Sequence, residues 1–164
     1  MAFAKDLMRL YLTAPEDVSS PWLAPATTDL FRAHYGVPED RYLEEKEISN
    51  RFVLERLDAI RTRVEQAEDP LLAGLQFAIL GNYIDFSALQ GQVSFQELDA
   101  LLDRASEMTP EGTAMEDLRT DLEKGKKLLY LTDNAGEIGF DRIFAEEIQK
   151  KYPQLAITFC VRGG

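Results

Sequence analysis

Up to about Gly125 the apolar residues recur at helical spacing, and no alternating run of β-branched residues is long enough for a strand. Phe3, Leu7 and Leu10 form one face, and Leu30 and Phe31 lie in a second helix that Gly36 and Pro38 end. Between Asp40 and Gln66, the residues Ile48, Phe52, Leu57, Ile60 and Val64 fall near one stripe opposite a charged face, which predicts a long half-exposed helix. Asp69-Pro70 then has the form of a cap followed by proline at the first helical position. The helix it opens is apolar almost all round, from Leu71 and Leu75 to Phe77 and Leu80, so it is expected to be the most buried. Ser94-x-x-Glu97 and Thr113-x-x-Glu116 fit the capping box, and Gly125 is expected to close the last helix of the series as its C′ residue.

After Gly125 the period changes. Leu128 to Leu131 and Ala156 to Val161 read as short apolar strands, and Ile138, Ile143, Phe144 and Ile148 mark a helical face between them. Strand, helix and strand of this length form one right-handed βαβ unit. Two parallel strands cannot cover both faces of a sheet or pair both edges. The expected fold class is therefore α+α/β: an N-terminal helical domain, residues 1–125, followed by the first βαβ unit of a Rossmann-like α/β domain, residues 126–164, with its sheet incomplete.

The first strand runs into Asp133-Asn134-Ala135-Gly136-Glu137, at the carboxyl edge where open α/β sheets place their ligands. Asp133 and Asn134 offer a carboxylate and an amide oxygen, which suit magnesium or manganese. Ala135 and Gly136 are small enough to let a phosphate approach the backbone. The helix dipole contributes only about 0.3–1 kcal/mol to an exposed anion, so a metal has to supply most of the charge. Asn134-x-x-Glu137 is also a capping box, on which reading these residues only start a helix. Asn82 and Asp85, at i and i+3 near the end of the most apolar helix, are either a structural cap or a second site element. His34 is expected to face the C-terminal dipole of its helix rather than act as a base, and Arg162 is a candidate anion contact at the second strand's end.

Several chemistries are absent from the sequence. No glycine-rich dinucleotide fingerprint or P-loop follows the first strand, and one Cys and one His exclude structural zinc and give a nucleophilic Ser or Cys no nearby base. Asp and Glu number 29 against 18 Lys and Arg, and the net charge of -11 disfavours nucleic acid and anionic membrane surfaces as partners. The start has no secretory pattern and the best apolar stretch is interrupted by Gln76, Asn82 and Asp85, which leaves the cytoplasm as the expected location.

LTDNAGEIGFDRIFAEEI followed by a strand and VRGG, with GNYIDF upstream, resembles the damage-control phosphatase family in its bacterial and archaeal branch. The resemblance implies a metal-dependent phosphatase acting on small phosphorylated metabolites, such as sugar phosphates or phosphopantetheine-type compounds, including damaged forms. It implies a divalent metal (manganese, magnesium, cobalt or nickel) on Asp133 and Asn134, with Gly136, Glu137 and Arg162 toward the substrate and Asn82 and Asp85 lining its cleft. The branch also carries a Cys-x-x-Cys segment, a third metal-binding carboxylate and a Lys-Gly phosphate motif that this sequence lacks. The expectation is thus a truncated piece of the enzyme, weak or inactive alone, whose open sheet edge pairs with another copy or a complementing fragment. A carboxyl methyltransferase and a non-catalytic helical interaction module are the alternatives.

Overall fold

The computed structural model describes residues 2–38, 40, 42–83 and 95–161. The chain divides into two compact units, Met1–Tyr42 and Leu43–Gly164. Asp85 and Arg162, together with the Ser94 capping position, lie outside the described residues.

The first unit is a helical pair, α1 (Ala2–Thr13) and α2 (Ser20–Tyr35). Phe3 packs its ring against Phe31 and Tyr35, and His34 Nε2 meets Asp6 Oδ2 at 3.0 Å, so the chain's one histidine ties the two helices together. Gly36 closes α2 in the left-handed region (φ 63°), its N–H donating to Arg32 O at 2.9 Å, as the glycine in that position predicts.

The second unit contains α3 (Leu43–Glu65), α4 (Pro70–Tyr83), α5 (Phe95–Asp103), a 3-10 turn (Ala105–Glu107), α6 (Ala114–Lys124), β1 (Lys127–Leu131), α7 (Glu137–Lys151) and β2 (Ala156–Cys160). Before Gly125 the described residues hold no strand, and β1 and β2 pair in parallel, Leu128 opposite Ile157 and Tyr130 opposite Phe159. This is the expected mostly helical chain with a short, incomplete α/β sheet. The change from helix to strand at Gly125 does not separate two cores, because α4 packs along α7 and α3 also contacts it.

Asp69 caps α4 as expected, its Oδ1 accepting the Leu72 N–H at 3.3 Å. Asn82 is the one exposed position among the α4 residues whose side chains are described. Two predicted caps take other forms. Thr113 directs its hydroxyl to Asp117 Oδ2 at 2.8 Å, so no capping box forms there. Gly125 ends α6 in an extended conformation (φ -68°, ψ 154°) rather than a left-handed one, with its N–H still returned to Asp121 O.

Helix α7 sits closely against its neighbours because glycines remove the intervening methyls. A Cβ on Gly74 would stand 3.2 Å from Phe144 Cα, one on Gly81 would stand 3.0 Å from the Phe140 ring, and one on Gly139 would stand 2.5 Å from Val53 Cγ1. Around these contacts Phe52, Leu57, Ile60, Val64, Phe77 and Leu80 bury against Phe140 and Ile143. A second cluster joins Leu71, Met115, Leu122 and Leu155 to Phe144, Ile148 and the inward residues of the sheet. The opposite sheet face is open: Leu129 and Leu131 are 61% and 69% exposed, although parallel sheets ordinarily bury both faces.

Candidate functional site

β1 ends at Leu131, and the buried Thr132 continues the pairing by donating its N–H to Cys160 O at 3.0 Å. The chain then leaves the sheet. Asp133 is exposed, Asn134 half-buried, and Gly136 turns at φ 84°, ψ -52° before α7 begins with Glu137. Gly136, not Asn134, is the residue at the helix cap, so the capping-box reading holds only in part. Glu137 Oε2 does reach back to the Asn134 N–H and Nδ2, both at 3.4 Å, which are long contacts.

Helix α3 fixes this turn. Asn50 Oδ1 accepts the Gly136 N–H at 2.8 Å, and a Cβ on Gly136 would lie 3.1 Å from Ser49 Cβ and 3.2 Å from Ser49 O. The glycine thus serves a close backbone approach. Room that a phosphate would use on that side of Gly136 is filled by Ser49.

Along α7, one turn after Glu137, Asp141 is buried to 5% exposure and accepts the Tyr130 hydroxyl on Oδ1 at 2.8 Å, while its Oδ2 has no hydrogen-bond partner. Burial raises the Asp141 pKa above the ordinary carboxylate value, and the Tyr130 hydrogen bond opposes it. Glu137, at 6% exposure, is raised first by burial and then by the neighbouring Asp141 charge, with the Asn134 N–H opposing and Asp133 adding to the rise. Tyr130 is pushed well above the usual phenol range by burial and by Asp141. Asn82, at the end of α4, shares with Tyr130, Glu137 and Asp141 the lining of a cleft of ≈ 350 Å³ whose apolar walls include Leu75 and Leu131. Asn82 is exposed at the end of α4 rather than buried.

The structure therefore brings Asn134 to Glu137 by hydrogen bonding, and Asn82 to Glu137 as walls of one cleft. Ser49, Asn50, Tyr130 and Asp141 join them without having been singled out in the sequence. Asp141 did carry a signal, an acid placed on the same helical face as Phe140, Ile143, Phe144 and Ile148. Asn50 carried none, being 86 positions from its partner.

Among the described residues no three His, Cys, Asp or Glu side chains are grouped to hold a metal ion. Asp133 and Asn134 give one carboxylate and one amide oxygen, a donor set that fits a cation taking the rest of its shell from water and substrate phosphate, as magnesium does.

A mostly helical chain ending in a parallel βαβ unit, with acidic and amide residues where its first strand meets the following helix, defines an incomplete α+α/β class. Its sequence places it further: residues 3–164 match the damage-control phosphatase ARMT1-like domain, and the chain belongs to that family. It is 32% identical over 158 residues to a protein of Archaeoglobus fulgidus named damage-control phosphatase, an alignment covering 94% of this chain and 53% of that protein. An uncharacterized protein of Methanocaldococcus jannaschii is 33% identical over 114 residues, 68% of this chain and 37% of that protein. The chain thus spans about half, or less, of the length of these relatives. Among the described residues no helix is long and apolar enough to cross a membrane.

Proposed function

We infer that the turn after β1 is the phosphoryl-binding end of a metal-dependent phosphatase acting on small phosphorylated metabolites, sugar phosphates or phosphopantetheine-type compounds among them. The observation that carries this reading is the exposed Asp133 carboxylate beside Asn134, delivered by a parallel strand to the N-terminus of α7. Family membership and the relative named damage-control phosphatase support the reaction class.

Asp133 and Asn134 would hold a divalent cation, whose chemistry when bound is to polarise the phosphoryl oxygens and offset their developing charge. Asn50 holds the turn in place through the Gly136 N–H, and Glu137 Oε2 orients the Asn134 amide from below. The first turn of α7 adds partial positive charge, worth about 0.3–1 kcal/mol to an anion at an exposed site. A net charge of -11 with Glu137 and Asp141 close behind the turn makes a bridging cation the natural way to seat a phosphate.

The reading is tested by phosphate release from p-nitrophenyl phosphate and a set of sugar phosphates, with manganese, magnesium or chelator. Activity that needs the metal and falls at least about 100-fold in Asp133→Ala is expected, the scale of a lost transition-state electrostatic contact. Equal activity in chelator, or full metal-stimulated activity in Asp133→Ala, would refute it.

A further inference from the structure

The first unit does not complete a core of its own. It holds the 42 residues Met1–Tyr42, about the size below which a chain ordinarily needs a disulfide, a metal or association. Its helices bury one side chain, Leu23 of α2, and none of α1. Ring contacts from Phe3 to Phe31 and Tyr35 join the start of α1 to the end of α2, so the two helices run antiparallel.

The apolar residues left outside are gathered on one face. At about 100° per residue, Met8, Tyr11 and Leu12 form a stripe about a third of a turn round α1 from Phe3, Leu7 and Leu10. Phe31 and Tyr35 lie about a quarter-turn round α2 from Leu23 and His34. Because the helices are antiparallel, both rotations lead to the same side of the hairpin. Met8 and Leu12 are 67% and 85% exposed there, with Tyr11, Phe31 and Tyr35 also exposed. Grouped apolar exposure of this kind marks an interaction surface, whereas single exposed side chains do not.

Charges at the ends of the stripe select the occupant. Lys5 stands at its N-terminal end, and Glu16 and Asp17 follow its C-terminal end; among the described residues none of the three is ion-paired. A second copy laid with its α1 antiparallel on the first, centred near Tyr11, brings Lys5 of each copy to Glu16 and Asp17 of the other. The other two-fold arrangement lays α1 on the second copy's α2 and sets Lys5 against its basic last turn, Arg32 and His34. Only the first is self-complementary, as a two-fold interface requires. With α1 rising about 18 Å and the helix pair about 20 Å across, roughly 500 Å² per copy is covered, the low end for a specific interface.

We propose that this face is a homodimer interface in which two α1–α2 hairpins stack as a four-helix bundle, the two α1 helices antiparallel. It involves no residue of the turn at Asp133, so it is tested separately from the phosphatase reading.

Sedimentation equilibrium of the whole protein from about 1 to about 300 μM tests it, because an interface of this size corresponds to a Kd on the order of micromolar. A monomer–dimer equilibrium is expected. Leu12→Lys, a change at an exposed position that should leave the helical circular dichroism unaltered, is expected to weaken the dimer at least about tenfold by placing a charge in the apolar face. Lys5→Glu should weaken it about threefold or more, and adding Glu16→Lys and Asp17→Lys to the same chain should restore it. A protein that stays monomeric throughout the range, including one whose face is covered by another part of its own chain, overturns the proposal. So does a dimer that survives Leu12→Lys, or one indifferent to Lys5→Glu.

Discussion

Replacing Gly136 by alanine should be among the most damaging single-methyl changes in the second unit. Two separate costs arise at that position. The backbone lies at φ 84°, ψ -52°, where an L side chain is held only under strain, about 1–3 kcal/mol. The new Cβ would also stand 3.1 Å from Ser49 Cβ, 3.2 Å from Ser49 O and 3.3 Å from Ser49 C, and two of those atoms are helix backbone that cannot rotate away. Crowding of this kind costs about 1–3 kcal/mol. The sum is about 2–6 kcal/mol, and at roughly 2–4 °C per kcal/mol for a protein of this size Tm should fall by ~4–24 °C. Gly112 supplies the control, because it also has positive φ (53°) but nothing within 4 Å of its virtual Cβ. Gly112→Ala should lose only the conformational part, about 1–2 kcal/mol. Thermal unfolding followed by circular dichroism compares the two directly. Equal losses would mean that Ser49 does not confine the turn, and the argument that α3 positions Asp133 and Asn134 would fail.

Three further outcomes follow from the same contacts. Gly139→Ala should destabilise by about 1–3 kcal/mol through Val53 Cγ1, less the helix preference for alanine, and Val53→Ala should relieve it; additive double-mutant effects would contradict the close approach. Tyr130→Phe strips the donor from Asp141 Oδ1 and leaves a second buried oxygen unpaired, so denaturant unfolding should show a loss of about 1–3 kcal/mol; no change would show that the bond is not made in solution. Asp141 has a raised folded-state pKa, so its contribution to stability is full below the unfolded carboxyl pKa of about 3.9 and is lost as pH rises through the folded value. Asp141→Asn should therefore gain in Tm relative to the parent between acid and neutral pH, and a difference independent of pH would refute this.

Much of the architecture was readable because it is written in local periodicity. The change at Gly125, the cap at Asp69 and the glycine stop at Gly36 are decided by residues within a turn of one another, and the structure has all three boundaries near the expected positions. The predicted boundary between domains was a change of period, while the compact units are set by long-range packing of α3 and α4 on α7. Thr113 shows the limit of a short pattern: Asp117 lies one turn on and competes for the hydroxyl that a cap would need. The candidate site divides in the same way. Asp133, Asn134 and Glu137 are adjacent and visible, whereas Asn50 and Asn82 reach them from other helices, a relation that no spacing in the sequence encodes.

Gly74, Gly81, Gly136 and Gly139 connect these two levels. Each lies where another helix comes too near for a methyl, so α7 is held by α4 on one side and by α3 on the other. The turn carrying Asp133 and Asn134 enters α7 at its N-terminus, and its position therefore follows from the packing of three helices as well as from the short sheet, whose pairing continues to Thr132. Loops carry function when a rigid scaffold places them. Here the scaffold is the glycine-mediated contact of α3, α4 and α7, which also presents Glu137 to both the turn and the cleft. A substitution on α3 or α4 that never touches ligand can thus move Asp133, and Asn50→Ala is the sharpest case: it removes the one bond to the Gly136 N–H while leaving every residue of the turn in place. Metal affinity should drop in Asn50→Ala, measured by manganese titration, with the unfolding free energy lowered by no more than the about 1–3 kcal/mol of one lost hydrogen bond. Unchanged manganese affinity in that variant would show that the turn holds its own shape without α3.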